Sequence, residues 1–253
     1  AWWSSATASW TSASRARPGP VTAGRDIRVV GLDADDTLWH SEVYFERTQR
    51  RFDELVGRYV GADVDVHAAL TAVERRNLGR YGYGIKGFTL SMIECAIEVT
   101  DGAIGVEELA QVLAAGRAML DHPVDLIDGV DETITALAAA GYRMVIVTKG
   151  DLHHQEMKVL ASGLAGRVER IEIVSEKDVP TYRRVVASMG VEPHQFAMVG
   201  NSVKSDVLPV IELGGHAVHI PYHITWEAEH ADHDGTVPTL TTIADLPAWL
   251  ATQ

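Results

Sequence analysis

Alternation of apolar, β-branched runs with helix-patterned segments constrains this chain more than any other feature. The runs over 27–32, 142–147, 170–174, 196–199 and 217–220 are continuous enough to be strands buried on both faces. Between the later ones, apolar residues at helical spacing predict helices over 129–140, 152–162, 181–189 and 203–213. Gly141, Gly163, Gly190 and Gly214 stand where helix C-caps belong. Repeated units of this kind predict an α/β fold, a doubly wound parallel sheet whose ligands sit at the carboxyl ends of its strands.

The alternation breaks once. From Trp39 to Asp128, roughly 90 residues carry no convincing strand, too many for an ordinary crossover connection. Helical patterns over 41–59, 65–78, 87–99 and 106–120 predict a small bundle there. The expected organisation is a core of 25–40 and 125–253 with a helical cap of 41–124 inserted after the first strand, placed to act as a lid. At 253 residues and 46% hydrophobic content, the chain can bury both. Residues 1–24 differ in material: they are rich in Ala, Ser, Thr and Arg, include Trp2, Trp3 and Trp10, and precede the first acidic residue, Asp26. A separate tail is expected, with the acid-poor, Ser-rich character that transit peptides also show.

A formal net charge of -13 repels a phosphate backbone, and no basic patch stands outside the tail, so no nucleic-acid partner is expected. No apolar run approaches the roughly 20 residues of a membrane span, so no membrane partner is expected either. The single cysteine, Cys95, cannot form an internal disulfide. A reduced, cytoplasmic setting follows as an expectation, and oligomeric state is not legible.

Residues 29–38 read Val-Val-Gly-Leu-Asp-Ala-Asp-Asp-Thr-Leu. On an extended chain Asp33 and Asp35 project to the same side, at the point where a buried strand gives way to loop. One carboxylate can attack phosphorus while a second protonates the leaving oxygen, with Mg²⁺ neutralising the oxygens gathered between them. An acidic turn alone shows the same letters. Three further strand ends supply matching chemistry. Thr148 opens Thr-Lys-Gly, where a hydroxyl and the backbone N–H groups of Lys149 and Gly150 can hold phosphate oxygens. Lys177 follows the third strand and can offset charge on nucleophile and phosphoryl group. After the fourth strand, Asn201 and Asp206 offer an amide and a carboxylate to a metal.

In this order the four motifs resemble the haloacid dehalogenase superfamily of hydrolases, in its phosphatase-like branch with a helical cap. The resemblance covers about 27–250. It implies a Rossmann-like core, Asp33 as nucleophile, Asp35 as general acid and base, Thr148 as a phosphate-binding hydroxyl and Lys177 as the neutralising lysine. It further implies Mg²⁺ held by Asp33, the backbone carbonyl of Asp35, Asn201 and Asp206, and a flexible turn and flap over 38–42. Two positions depart from the pattern. Gly200-Asn201 stands where relatives have Gly-Asp, leaving the metal site one charge poorer, and Asp178 follows Lys177 where proline is common. Lys149 is therefore a rival for the role of Lys177, and whether Asn201 or Asp206 meets the ion directly is open.

In the bundle, residues 81–88 concentrate glycine, aromatics and a lysine. They read equally as a specificity loop presenting Tyr83 and Lys86 to substrate and as a hinge whose glycines permit tight turns. His153, His154, His219, His223, His230 and His233, the later ones near Trp226, match no closed metal site and are expected to be loop histidines. The expected function is a Mg²⁺-dependent phosphatase acting through an aspartyl-phosphate on a small phosphorylated metabolite. A phosphomutase on the same core and a non-enzymatic binding relative are the alternatives. The dehalogenating branch lacks a carboxylate at the position of Asp35, which argues against carbon–halogen hydrolysis here.

Overall fold

The computed structural model describes residues 9–11, 26–224 and 237–253. They fall into two compact units, Ala1–His40 with Val124–Gln253, and Ser41–Pro123. Trp2, Trp3, Trp226, His230 and His233 lie outside the described residues.

The first unit is built on a six-stranded sheet: β1 (Ser9–Thr11), β2 (Val29–Leu32), β3 (Arg143–Lys149), β4 (Arg170–Val174), β5 (Phe196–Gly200) and β6 (His216–His219), in the order β1-β4-β3-β2-β5-β6. β2 to β6 pair in parallel, with Val29 opposite both Arg143 and Phe196. The expectation of a wholly separate tail is corrected at one point: Ser9–Thr11 pairs antiparallel with β4, Ser9 opposite Glu172 and Thr11 opposite Arg170, and closes that edge of the sheet.

Both faces of the sheet are covered, which is why its strands read as unbroken apolar runs. From β2, Val30 and Leu32 face Ile134 and Leu137 of α5 (Val130–Ala139), Val159 of α6 (Leu152–Ala161) and Leu246 of α9 (Leu246–Leu250). Val29 faces the opposite side, with Tyr182 and Val185 of α7 (Val179–Ser188) and Val210 of α8 (Leu208–Leu213). Each such side chain, fully buried, contributes about 1.5–3 kcal/mol. The central strand is therefore firmly anchored before any polar group is placed at its end. Leu38 and Trp39 belong to the same core and are wholly buried. They are thus core residues, and the flap expected over 38–42 does not begin with them.

The second unit holds α1 (Glu42–Val56), α2 (Val66–Tyr81), α3 (Ile85–Val99) and α4 (Val106–Leu120). α3 packs against both α2 and α4, and α1 against α4, around Phe52, Leu70, Phe88, Met92 and Val112. The carboxylate of Asp65 caps α2 by accepting from the Ala68 N–H at 2.9 Å. Across α2 and α3, the buried Asn77 donates to Ser91 Oγ at 3.2 Å and to Glu94 Oε2 at 2.9 Å. Residues 81–88 are mostly helix: α2 runs through Tyr81 and α3 starts at Ile85, which leaves a turn of Gly82, Tyr83 and Gly84. Gly82 and Gly84 have φ of 69° and 108°, so turn geometry alone accounts for the glycines. Lys86 sits in the first turn of α3 and Phe88 is core, its ring 5.2 Å from that of Phe45. Among the described residues no helix is long and apolar enough to cross a membrane.

Burial pushes the Glu74 carboxyl on α2 up from 4.5 to about 7. The folded chain then binds this proton more tightly than the unfolded chain does. The contribution of Glu74 to stability is full below pH 4.5 and is lost as pH rises through about 7. Glu74→Gln, which cannot ionise, is expected to raise the thermal midpoint at pH 8 and to leave it nearly unchanged at pH 4. Equal shifts at both values would contradict the burial account.

Candidate active site

Chain geometry at the end of β2 delivers the first carboxylate. The Asp33 N–H donates to the Val199 carbonyl at 2.8 Å, extending the pairing of β2 with β5 by one residue. The backbone then wraps around one oxygen: the N–H groups of Thr37, Leu38 and Trp39 all point at the Ala34 carbonyl, at 3.2, 2.8 and 3.3 Å. Asp36 takes a left-handed φ of 63°, tolerable for an Asp, and donates its N–H to Trp39 at 2.7 Å. Buried Leu38 and Trp39 hold this turn against the core, so the positions of Asp33 and Asp35 are fixed by packing.

The two carboxylates have separate partners. Asp33 is buried, accepts from Thr37 Oγ1 at 3.1 Å through Oδ2, and pairs through Oδ1 with Lys177. Lys177 also meets Asp206 Oδ1 at 2.7 Å, with all three side chains out of solvent. Asp35 is partly exposed and pairs with Lys158 on α6, and it accepts from Trp39 Nε1 at 2.6 Å and Gln155 Nε2 at 3.0 Å. Lys149, the rival lysine, instead reaches Ser205 Oγ at 3.0 Å. The structure therefore sets Lys177, and not Lys149, against Asp33.

Asp206 reaches the site through a break in helical regularity. Residues Val203–Val207 form a π-helical turn ahead of α8, and such turns are common where a side chain must be re-aimed. Pro209, near the start of α8, has no N–H to offer the Ser205 carbonyl one turn back, and the Tyr182 hydroxyl takes that place at 3.0 Å. Ser202 Oγ accepts from the Ser205 N–H at 3.1 Å, and Asp206 Oδ2 accepts from the Ser202 N–H at 3.0 Å, a reciprocal cap at the start of the turn. Gly200 is dictated by this arrangement. A Cβ there would lie 2.2 Å from Asp206 Oδ2.

Electrostatics follow from these contacts. Burial first, and then the Asp206 charge, push Asp33 up from 3.8 to about 7, with Lys177 pulling the other way. Lys177 is pushed above its ordinary value, because its two carboxylates outweigh the cost of burial. Asp35 lies below the usual carboxylate range: desolvation opposes its charge, but Lys158, Trp39 and Gln155 together prevail. Three carboxylates thus share two contacting ammonium groups, Lys177 and Lys158. A third ammonium, Lys149, stands at the end of β3.

The remaining sequence candidates divide. Thr148 is buried at the end of β3, its Oγ1 accepting from Gln155 Nε2 at 2.8 Å, and Gly150 follows at φ 139°. The Asn201 side chain lies beside the turn after β2, its Oδ1 3.5 Å from Thr37 Oγ1, while His219 Nε2 lies 3.0 Å from its backbone carbonyl. Asp178 is the N-cap of α7, accepting from the Thr181 N–H at 2.9 Å, with Pro180 inside the first turn. That cap is what replaces the proline expected after Lys177. His153 and His154 stand in the first turn of α6. Tyr83 and Lys86 belong to the helical unit. Sequence reasoning missed Thr37, Trp39, Gln155, Lys158 and Tyr182, although Gln155 and Lys158 lie at i and i+3 on the helix directly after the Thr-Lys-Gly turn, a spacing that puts both on one face.

Residues 27–214 match the model of haloacid dehalogenase-like hydrolases. Among solved structures, the chain is similar to a haloacid dehalogenase-like family hydrolase from Xanthomonas campestris at 42% identity, with 93% of this chain and 95% of that one covered and a TM-score of 0.81. A HAD-hydrolase from Bacillus subtilis, YfnB, bound to magnesium, shares the fold at 15% identity, 90% and 99% coverage and a TM-score of 0.63. So does a 2-haloacid dehalogenase from Pseudomonas syringae pv. Tomato, at 21% identity, 89% and 99% coverage and a TM-score of 0.60. No curated protein matches the chain.

Proposed function

The chain belongs to the haloacid dehalogenase-like hydrolases, and from that premise we propose that it is a Mg²⁺-dependent phosphatase acting on a small phosphorylated metabolite. The observation that carries this reading is Asp35. A halide leaves carbon as an anion and needs no proton, whereas an alcohol leaving phosphorus does. Here a second carboxylate follows Asp33 by two residues and is tied by Gln155 to Thr148, the hydroxyl placed for phosphate.

In the proposed reaction an Asp33 oxygen forms a bond to phosphorus as the phosphorus–alkoxide bond breaks, and the departing oxygen takes a proton from Asp35. Water then attacks phosphorus while giving its proton to Asp35, and phosphate leaves with the Asp33 carboxylate restored. Asp35 rests ionised, so it gains its first proton when the negative charge of the substrate enters the pocket. Thr148 and the backbone of Lys149 and Gly150 hold phosphoryl oxygens, and Lys177 keeps Asp33 directed and offsets charge.

The residues fit a hard divalent cation. The buried Asp33 and Asp206 carboxylates, the first raised to about 7 chiefly by burial, and a nearby Asn201 amide oxygen are the hard oxygen donors that Mg²⁺ prefers. Among the described residues no three Asp, Glu, His or Cys side chains converge on one point; by the family resemblance the holders would be Asp33, Asp206, Asn201 and the Asp35 carbonyl. When bound, Mg²⁺ supplies positive charge to phosphoryl oxygens. The single thiol, Cys95, is buried and pushed up to about 12, chiefly by that burial. It fits a reducing, cytoplasmic setting.

The test compares phosphate release from 4-nitrophenyl phosphate and glycerol phosphate, with and without Mg²⁺, against halide release from 2-chloropropionate. Mg²⁺-dependent phosphate release with no halide is expected. Halide release without phosphate release would overturn the reading.

A further inference from the structure

We propose that Gln155 is a positioning residue that ties the acid–base carboxylate of Asp35 to the phosphate-holding end of β3; this rests on the phosphatase reading. The Gln155 side chain is 2% exposed, and its Nε2 lies 2.8 Å from Thr148 Oγ1, 2.6 Å from the Lys149 carbonyl and 3.0 Å from Asp35 Oδ2. Its orientation is forced. Turning the amide over would set Oε1 against a backbone carbonyl and an ionised carboxylate, neither of which can donate. Lys158, one turn along α6, and Trp39 Nε1 take the other Asp35 oxygen, so the carboxylate is gripped from both sides.

Two further observations separate this side chain from ordinary packing. Gly150 has φ 139°, and a Cβ there would come within 3.1 Å of both Gln155 Cγ and Nε2, so the Thr148-Lys149-Gly150 turn is shaped around the amide. Oε1 is buried and meets no hydrogen-bond partner among the described residues. A buried, unpaired carbonyl is costly, and methionine would fill similar space without that cost. The side chain is therefore kept for its donors, which hold Asp35 in line with Thr148.

The experiment compares the full chain with Gln155→Met at saturating Mg²⁺ on glycerol phosphate and 4-nitrophenyl phosphate. Expected is a fall in kcat of about 10- to 100-fold on the alkyl ester, whose leaving group needs a placed proton, and of less than about threefold on the aryl ester. A modest fall in the thermal midpoint should accompany it, since buried acceptors lose their donor, with the chain still folded at the assay temperature. Equal losses on both esters, or none on either, would overturn the proposal, as would a lowered midpoint with unchanged kcat. Should the wild-type chain hydrolyse neither ester, the phosphatase reading falls, and a double-mutant cycle in urea unfolding decides for Gln155. Unfolding constants of Gln155→Met and Asp35→Asn that combine non-additively by about threefold or more support the tie. Additive constants overturn it.

Discussion

Asp33→Asn is expected to abolish turnover, lowering kcat by roughly three orders of magnitude or more, the scale on which removal of a nucleophile acts. The fold should survive. The amide oxygen can face Lys177 while its NH₂ donates to Thr37 Oγ1, which now donates to Asp33 and can accept instead. Lys177 retains Asp206 at 2.7 Å, so no buried cation is left alone. The substitution also removes a charge that burial and Asp206 already disfavour, as the rise of Asp33 to about 7 shows. A change in unfolding free energy within about 1 kcal/mol is expected. Urea denaturation beside a phosphate-release assay checks both halves, and activity near wild type would remove Asp33 as nucleophile.

Lys177→Met is expected to have the largest effect on stability. It keeps a long apolar stem but leaves Asp33 and Asp206 facing one another out of solvent. Breaking a buried pair in this way costs about 3–5 kcal/mol, because an uncompensated charge stays behind. Lys149→Met loses the contact to Ser205 Oγ and leaves the Asp33–Lys177–Asp206 group intact, and less than about 2 kcal/mol should follow. Denaturant midpoints of the two variants compare the lysines directly. Matching losses would mean that the Asp33–Lys177–Asp206 group is not the electrostatic centre of the site.

How much of this was legible in the sequence depends on how local each signal is. β2 to β6 could be read because burial on both faces writes itself as continuous Val, Ile and Leu. β1 could not: Ser9–Thr11 is three residues long, and its place is set by pairing with β4, some 160 residues away in the chain. The π-helical turn escaped because residues 203–213 keep apolar spacing throughout, and only Pro209 signalled that a backbone bond was missing. Asp178 looked like a departure from a familial proline, yet Asp178 and Thr181 carry the spacing of an N-cap. At the site, residues with a strand-end address, Asp33, Asp35, Thr148, Lys177 and Asp206, stood out as charged or hydroxylated groups closing apolar runs. Gln155 and Lys158 read as the polar face of an ordinary helix, since nothing local records that α6 lies against the β2 turn. In residues 81–88, composition suggested a long loop, whereas two glycines at positive φ suffice to join α2 and α3 in a three-residue turn.

The central claim is that this site reacts at phosphorus and forms no carbon ester that is opened at the Asp33 carboxyl, and turnover of a phosphate ester in ¹⁸O-water tests it most directly. Hydrolysis of an aspartyl-phosphate by attack at phosphorus puts the heavy oxygen into the released phosphate and leaves the Asp33 carboxylate unlabelled. An ester intermediate on carbon, as in dehalogenation, is opened at the carboxyl carbon and puts the label into Asp33 itself. Mass spectrometry of the released phosphate and of the peptide containing Asp33 is expected to find ¹⁸O in the phosphate alone. Heavy oxygen accumulating in Asp33 would contradict the account.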